Sequence, residues 1–202
     1  MQPFIRLRAV AAPLNEADID TDIIYPARFL TITEKKGLGR YAFHDRRVDG
    51  QGREVPGFVL NRDPWRGAGI LVAGANFGCG SSREQAPWAL LDLGIRCIIA
   101  PSFGEIFRGN CYRNGMLPVT VDDGAHAALL ADAQAGAVLD IDLEACAITR
   151  PCGAQVAIAI DPQKREALLN GWDEVMAILK ARGEAIDRYE VERRRRHPWL
   201  PL

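Results

Sequence analysis

Apolar and polar positions change their period several times along the 202 residues of this chain. Phe4 to Ala11 alternates apolar with polar residues and predicts an opening strand. Thr31 to Asn61 is polar, broken by Lys35-Lys36-Gly37-Leu38-Gly39-Arg40 and Asp49-Gly50-Gln51-Gly52, and predicts turns. Ile70-Leu71-Val72-Ala73 is short, apolar and β-prone; beyond it Ala86, Leu90, Leu91 and Leu93 recur at helical spacing. Arg96 to Ala100 then predicts a buried strand, and Phe103 to Met116 a helix with Phe103, Ile106, Phe107 and Cys111 on one side. Strand alternating with helix argues for parallel pairing here.

The second half changes character. Val138 to Asp142, Ala145 to Arg150 and Gln155 to Ile160 predict short strands turning at Glu144 and Gly153, a β-meander expected to lie as a second sheet layer against the first. Asp161 and Pro162 suit a helix start, and the helical pattern runs from Gln163 to about Arg182. The expected organisation is an α/β domain over residues 1–183 and a C-terminal helical tail over 184–202.

Candidate chemistry concentrates between the first internal strand and its helix, in Gly74-Ala75-Asn76-Phe77-Gly78-Cys79-Gly80-Ser81-Ser82-Arg83-Glu84-Gln85. Glycines let a backbone approach a ligand closely, serines suit a helix cap, and a guanidinium offers a planar fork to carboxylate or phosphate. An anionic small molecule fits this combination; a plain strand-to-helix turn with a serine cap is the alternative. The stretch lacks a Gly-Lys-Ser/Thr ending, the dinucleotide glycine spacing, and a serine midway between two glycines. Asp18, Asp20 and Asp22 alternate as in a calcium loop, but the glycine and closing glutamate of such a loop are missing. Arg28 and Lys35 are candidate carboxylate partners or a solvated basic face. His44 reads as a packed or surface histidine, and Asn110 and Asn114 as residues that fix a binding face, Asn114 also suiting a helix C-cap before Gly115.

The segment Asn76 to Glu84, followed by Ala86-Pro87-Trp88-Ala89-Leu90, resembles the signature of 3-isopropylmalate dehydratase small subunits, the separate-chain counterparts of the aconitase swivelling domain. Asp20-Thr21-Asp22-Ile23-Ile24-Tyr25-Pro26-Ala27-Arg28-Phe29-Leu30 is similar to that family's first block. Ile99 to Phe107, Asn110 and Asn114-Gly115-Met116-Leu117-Pro118-Val119 are similar to its third. The resemblance implies a three-layer β/β/α swivelling domain of the aconitase C-terminal type, and a hydro-lyase half-site that isomerises 2-isopropylmalate to 3-isopropylmalate in leucine biosynthesis. It implies no cofactor bound by this chain and a partner large subunit carrying a four-iron four-sulfur cluster, in a heterodimer or higher assembly. Ser81 is then expected as the base, with Gly80, Ser82, Arg83 and Arg28 holding a dicarboxylate or tricarboxylate substrate. Asp20, Asp22, Asn76, Cys79 and Asn110 are expected to shape the site. Gln85 stands where the family usually has histidine, and Met176 to Lys180 replaces its Gly-Leu-Thr-Leu pattern. Citramalate, dimethylmalate or homocitrate type substrates therefore stay open, as does a non-catalytic binder of an anionic metabolite. A serine hydrolase fits worst, having no elbow and no suitably placed histidine.

Composition narrows the partners. With 25 basic and 26 acidic residues, the chain as a whole gives no electrostatic reason to bind nucleic acid or lipid. Arg193 to Arg196 reads as a solvated helix end, with Trp199 and Leu200 able to pack on a partner chain. Neither a membrane span nor a signal peptide is evident, so a cytoplasmic location is expected. The odd set Cys79, Cys97, Cys111, Cys146 and Cys152 contains no Cys-x-x-Cys pair, arguing against disulfides and against a metal site built by this chain alone.

Overall fold

The computed structural model describes residues 1–80 and 83–200. Its elements run β1 (Arg6–Leu14), α1 (Thr21–Ile24), α2 (His44–Arg47), β2 (Ile70–Ala73), α3 (Gln85–Leu93), β3 (Cys97–Ala100) and α4 (Glu105–Asn114). They continue with β4 (Leu117–Thr120), α5 (Asp123–Gln134), β5 (Val138–Asp142), β6 (Ala147–Thr149), β7 (Gln155–Ala157), α6 (Pro162–Asn170) and α7 (Glu174–Arg196). Short 3-10 turns fill the segment between α1 and β2, as its polar, turn-rich sequence requires.

The strands form one series, β4-β3-β2-β1-β5-β6-β7, in which β1 changes partners halfway. Its residues Ala11 to Leu14 pair in parallel with Ile70 to Ala73 of β2, whereas Arg6 to Val10 pair antiparallel with Val138 to Asp142 of β5. β2, β3 and β4 continue the parallel unit, and β5, β6 and β7 make the meander. Every residue of β2 and β3 is buried, so these strands read as unbroken apolar runs.

Side-chain alternation sorts the parallel strands into two cores. Leu71, Ala73, Ile98 and Ala100 face Ala86, Ala89 and Leu90 of α3 and Phe107 and Cys111 of α4. Ile70, Val72, Cys97, Ile99, Leu117 and Val119 share the opposite core with Leu139 and Ile141 of β5, Ile148 of β6, Leu129 of α5 and Leu168 of α6. α3 and α4 thus cover one face of the parallel unit, and the meander together with α5 and α6 closes the core on the other, an α/β fold as expected.

Several boundaries differ from the sequence pattern. β4 and α5 were not anticipated: Pro118 masks a strand that it tolerates at the sheet edge, and α5 is rich in alanine with little apolar contrast. The helix expected from Gln163 to Arg182 is two helices. Gly171, in the left-handed region at φ 69°, ends α6, and Asp173 starts α7 by accepting a hydrogen bond from the Met176 N–H at 2.8 Å. The expected boundary at 183/184 lies inside α7. α6 begins as expected, Pro162 following an Asp161 cap whose carboxylate accepts from the Gln163 and Lys164 N–H groups.

Candidate active site

The chain leaves β2 at Ala73 and is held at once between two other backbones. On one side the Asp18 N–H donates to the Ala75 carbonyl at 2.9 Å, the Gly78 N–H to Ile19 at 2.7 Å, and the Thr21 N–H to Cys79 at 3.0 Å. On the other, the Phe77 N–H donates to the Ser102 carbonyl at 3.1 Å and the Gly104 N–H to Phe77 at 3.0 Å. Isolated bridges Asp20–Cys79 and Phe77–Phe103 mark the same two contacts. The loop therefore prolongs the order of β1, β2 and β3 past their carboxyl ends, the usual location of ligand sites in open α/β sheets.

Close approach explains the residue types. A Cβ on Gly78, whose φ is 74°, would overlap the Phe107 ring, and one on Gly104 would strike the Gly78 carbonyl. Asn76 adopts φ 57°, a left-handed conformation that costs a residue with a Cβ about 1 kcal/mol. Side chains offset it: the Asn76 Nδ2 donates to Asp18 Oδ1 at 2.7 Å and its backbone N–H donates to Ser102 Oγ at 2.8 Å. Asp20 caps α1, accepting from the Ile23 N–H at 2.8 Å, and so fixes the segment that faces Cys79 and Gly80. His126 on α5, buried, donates from Nε2 to the Ala73 carbonyl at 2.8 Å and steadies the point where the loop departs. A carbonyl only accepts, so Nε2 carries the proton.

Arg83 closes the constellation. Its mostly buried guanidinium forms an ion pair through Nη1 with the half-exposed Asp22 carboxylate. The guanidinium holds the Asp22 carboxyl below the usual carboxylate range. Burial pushes the Cys79 thiol up, with Asp18 and Asp20 adding to the shift, so at neutral pH it stays a thiol and a weak nucleophile.

Of the site residues expected from sequence, Asp20, Asp22, Asn76, Cys79, Gly80 and Arg83 lie in this one constellation. Ser81 and Ser82 lie outside the described residues. The helix begins later than serine capping would require: α3 starts at Gln85 with Glu84 at its N-cap position, where it makes no side-chain capping bond. Arg28 is engaged apart from the loop, ion-paired with Asp45, 3.1 Å from the His44 Nδ1 and over the Phe29 ring. Asn110 is buried in α4, its Oδ1 accepting from Arg113 at 3.3 Å. Of the loop's supports, Asp18 belongs to the acidic trio that stands out in the sequence and Ser102 lies within a recognised block, whereas nothing around His126 in the sequence signals its role.

Among the described residues no three histidine, cysteine, aspartate or glutamate side chains gather as a metal site. Cys97 and Cys111 are buried in opposite cores, Cys146 lies after β5, and Cys152 is exposed. These donors do not fit an iron–sulfur cluster. Among the described residues, no helix is long and apolar enough to cross a membrane.

A family model for the aconitase C-terminal domain matches residues 1–124, and one named LeuD_N matches residues 127–162. The 3-isopropylmalate dehydratase small subunit of Phenylobacterium zucineum is 51% identical over 201 residues, covering 99% of this chain and 98% of that relative. The corresponding small subunit of Gluconacetobacter diazotrophicus is 52% identical, with 98% and 97% covered. A solved 3-isopropylmalate dehydratase from Methanocaldococcus jannaschii shares 25% identity at a TM-score of 0.67, over 91% of this chain and 99% of that one. By these full-length matches, and by the meeting of its three sequence blocks at one place, the chain belongs to the small-subunit family of 3-isopropylmalate dehydratases, built on the aconitase C-terminal domain.

Proposed function

We propose that this chain is the small half of a two-chain hydro-lyase of leucine biosynthesis, interconverting 2-isopropylmalate and 3-isopropylmalate in the cytoplasm through an unsaturated acid. The observation that carries the reading is Arg83: a mostly buried cation at the carboxyl ends of β1, β2 and β3, ion-paired through Nη1 with the half-exposed Asp22 carboxylate. A guanidinium presents a planar fork of donors, and a substrate carboxylate is the group such a fork takes beside or in place of Asp22.

Ser81 acts as the base. It removes a proton from the carbon beside a carboxylate; the C–H electron pair becomes the new C=C π bond, and the C–O bond of the neighbouring carbon breaks with loss of hydroxide. Rehydration returns hydroxide and proton to the carbons in exchanged positions. A serine hydroxyl is too weak an acid to do this in water, and donors and positive charge already in place lower the cost of its alkoxide. Gly80, Ser82 and Arg83 hold the substrate, and Arg28 joins them by exchanging the Asp45 carboxylate for the substrate's. Asp20, Asp22, Asn76, Cys79 and Asn110 keep the frame. A large subunit is the partner, and its four-iron four-sulfur cluster supplies the Lewis acidity for the hydroxyl group. The names borne by relatives of about half identity favour isopropylmalate over the other malate-like acids.

The test is co-expression with the cognate large subunit under anaerobic conditions, reading absorbance of the unsaturated acid. Ser81→Ala is expected to lower kcat by about 100-fold or more with the pair still assembled. Full turnover by that variant would refute the base assignment. A wild-type pair inert toward every malate analogue would favour the non-catalytic binder.

A further inference from the structure

Asn114, the last residue of α4, uses every hydrogen-bonding position of its side-chain amide. Its Oδ1 accepts from the Trp88 indole N–H at 2.8 Å and from the Lys35 ammonium at 3.3 Å. Its Nδ2 donates to Glu84 Oε1 at 2.9 Å and to the Asn110 carbonyl at 2.9 Å. Turning the amide over would set its NH2 against an ammonium and an indole N–H and its oxygen against a carboxylate, so the partners fix its orientation. Lys35 also lies 4.4 Å from the Trp88 ring centroid, a cation–π contact that holds the same arrangement.

The amide joins three parts of the chain that are distant in sequence: the polar segment carrying Lys35, the start of α3, and the end of α4. Glu84 and Trp88 are one helical turn apart, so both reach Asn114 from one face of α3. Glu84 directly follows Arg83, whose guanidinium is held at its far end by Asp22. Arg83 is thereby fixed twice, through its side chain by Asp22 and through its neighbour by Asn114.

We propose that Asn114 is a positioning residue for the substrate-binding guanidinium: through Glu84 it sets the backbone from which Arg83 reaches, and through Lys35 it ties the polar segment to the same point. This rests on the substrate role assigned to Arg83 above. Asn114→Asp separates the parts of the network, because it keeps acceptors for Trp88 and Lys35 but places a carboxylate oxygen against Glu84 and the Asn110 carbonyl, of which only the Glu84 contact leads to Arg83. Glu84→Gln then restores a donor across that gap.

With the co-expressed large subunit and 2-isopropylmalate, Asn114→Asp is expected to raise KM about tenfold with kcat within about threefold of wild type, and adding Glu84→Gln is expected to return KM to within about threefold. A purely structural role would lower thermal stability without this split and without the rescue. An unchanged KM in Asn114→Asp, or a raised KM that Glu84→Gln does not restore, overturns the proposal. Glu84→Ala removes the same bond from the other side should Asn114→Asp fail to fold; an unchanged KM there also overturns it. An inert wild-type pair sinks the assigned function and this inference with it, whereas an active wild type with unresponsive variants sinks the inference alone.

Discussion

The glycine loop after β2 and the long helix α7 are ordered by opposite means. The loop has little secondary structure of its own, yet backbones from both sides bond to it and buried side chains fill the space beneath it. α7 spans 23 residues of regular helix and buries none of them. It is sustained mainly by local interactions, the Asp173 cap and the i,i+4 pairs Glu190–Arg194 and Glu192–Arg196, with one tertiary ion pair at its first turn, Arg113–Glu174 at 2.6 Å. Regular hydrogen bonding along the chain is therefore a poor guide to how firmly a segment is held. Tertiary packing stabilises most helices, and pairs of this kind add only about 0.3–0.5 kcal/mol each.

Substitutions can break this contrast. Gly78→Ala is expected to cost about 3 kcal/mol or more in urea unfolding, since the new methyl meets the Phe107 ring at a backbone angle that disfavours a Cβ. A loss below about 1 kcal/mol would show that the loop shifts more freely than its bonding implies. Acid sharpens the contrast with a smaller effect. Asp22 is held below its ordinary pKa by Arg83, so the pair's contribution is complete above the unfolded carboxylate range, about pH 4, and is lost as pH falls through the depressed folded value. Asp22→Asn should therefore lose less stability than wild type on acidification below about pH 4, by a small margin because the carboxylate is half exposed. Equal acid sensitivity would show that the pair adds nothing. The smallest effect is expected on α7: Tyr189, 69% exposed, should change unfolding by less than about 0.5 kcal/mol when replaced by alanine. A larger loss would mean that α7 finds a packing partner in solution.

The sequence is legible where local chemistry decides the outcome. Ile70 to Ala73 stands out because burial on both faces demands an unbroken apolar run, Val138 to Asp142 because its apolar positions alternate, and the start of α6 because Asp161-Pro162 combines a cap with a preset φ. α5 was hidden because alanine contributes helix propensity but little pattern, although Asp122 caps it through the Ala125 N–H at 2.8 Å. Within the site, glycine density and Arg83 marked the loop, but its supports are tertiary. Asp18 meets Asn76 across 58 residues and His126 meets Ala73 across 53, and no local period records such pairings. Arg28 shows the converse: a basic residue in a recognised block whose described contacts are with Asp45, His44 and Phe29.

The halfway change of partners in β1 bears on how the chain comes together during synthesis. The strand made first is the seam between both β units, but its neighbours arrive with residue 70 on one flank and residue 138 on the other. Until the second flank has left the ribosome, half of β1 presents unpaired N–H and C=O groups, the kind of edge that invites association with other chains. Neither unit can be excised as a fragment without reopening that seam, so the parallel and antiparallel parts are expected to melt in one transition.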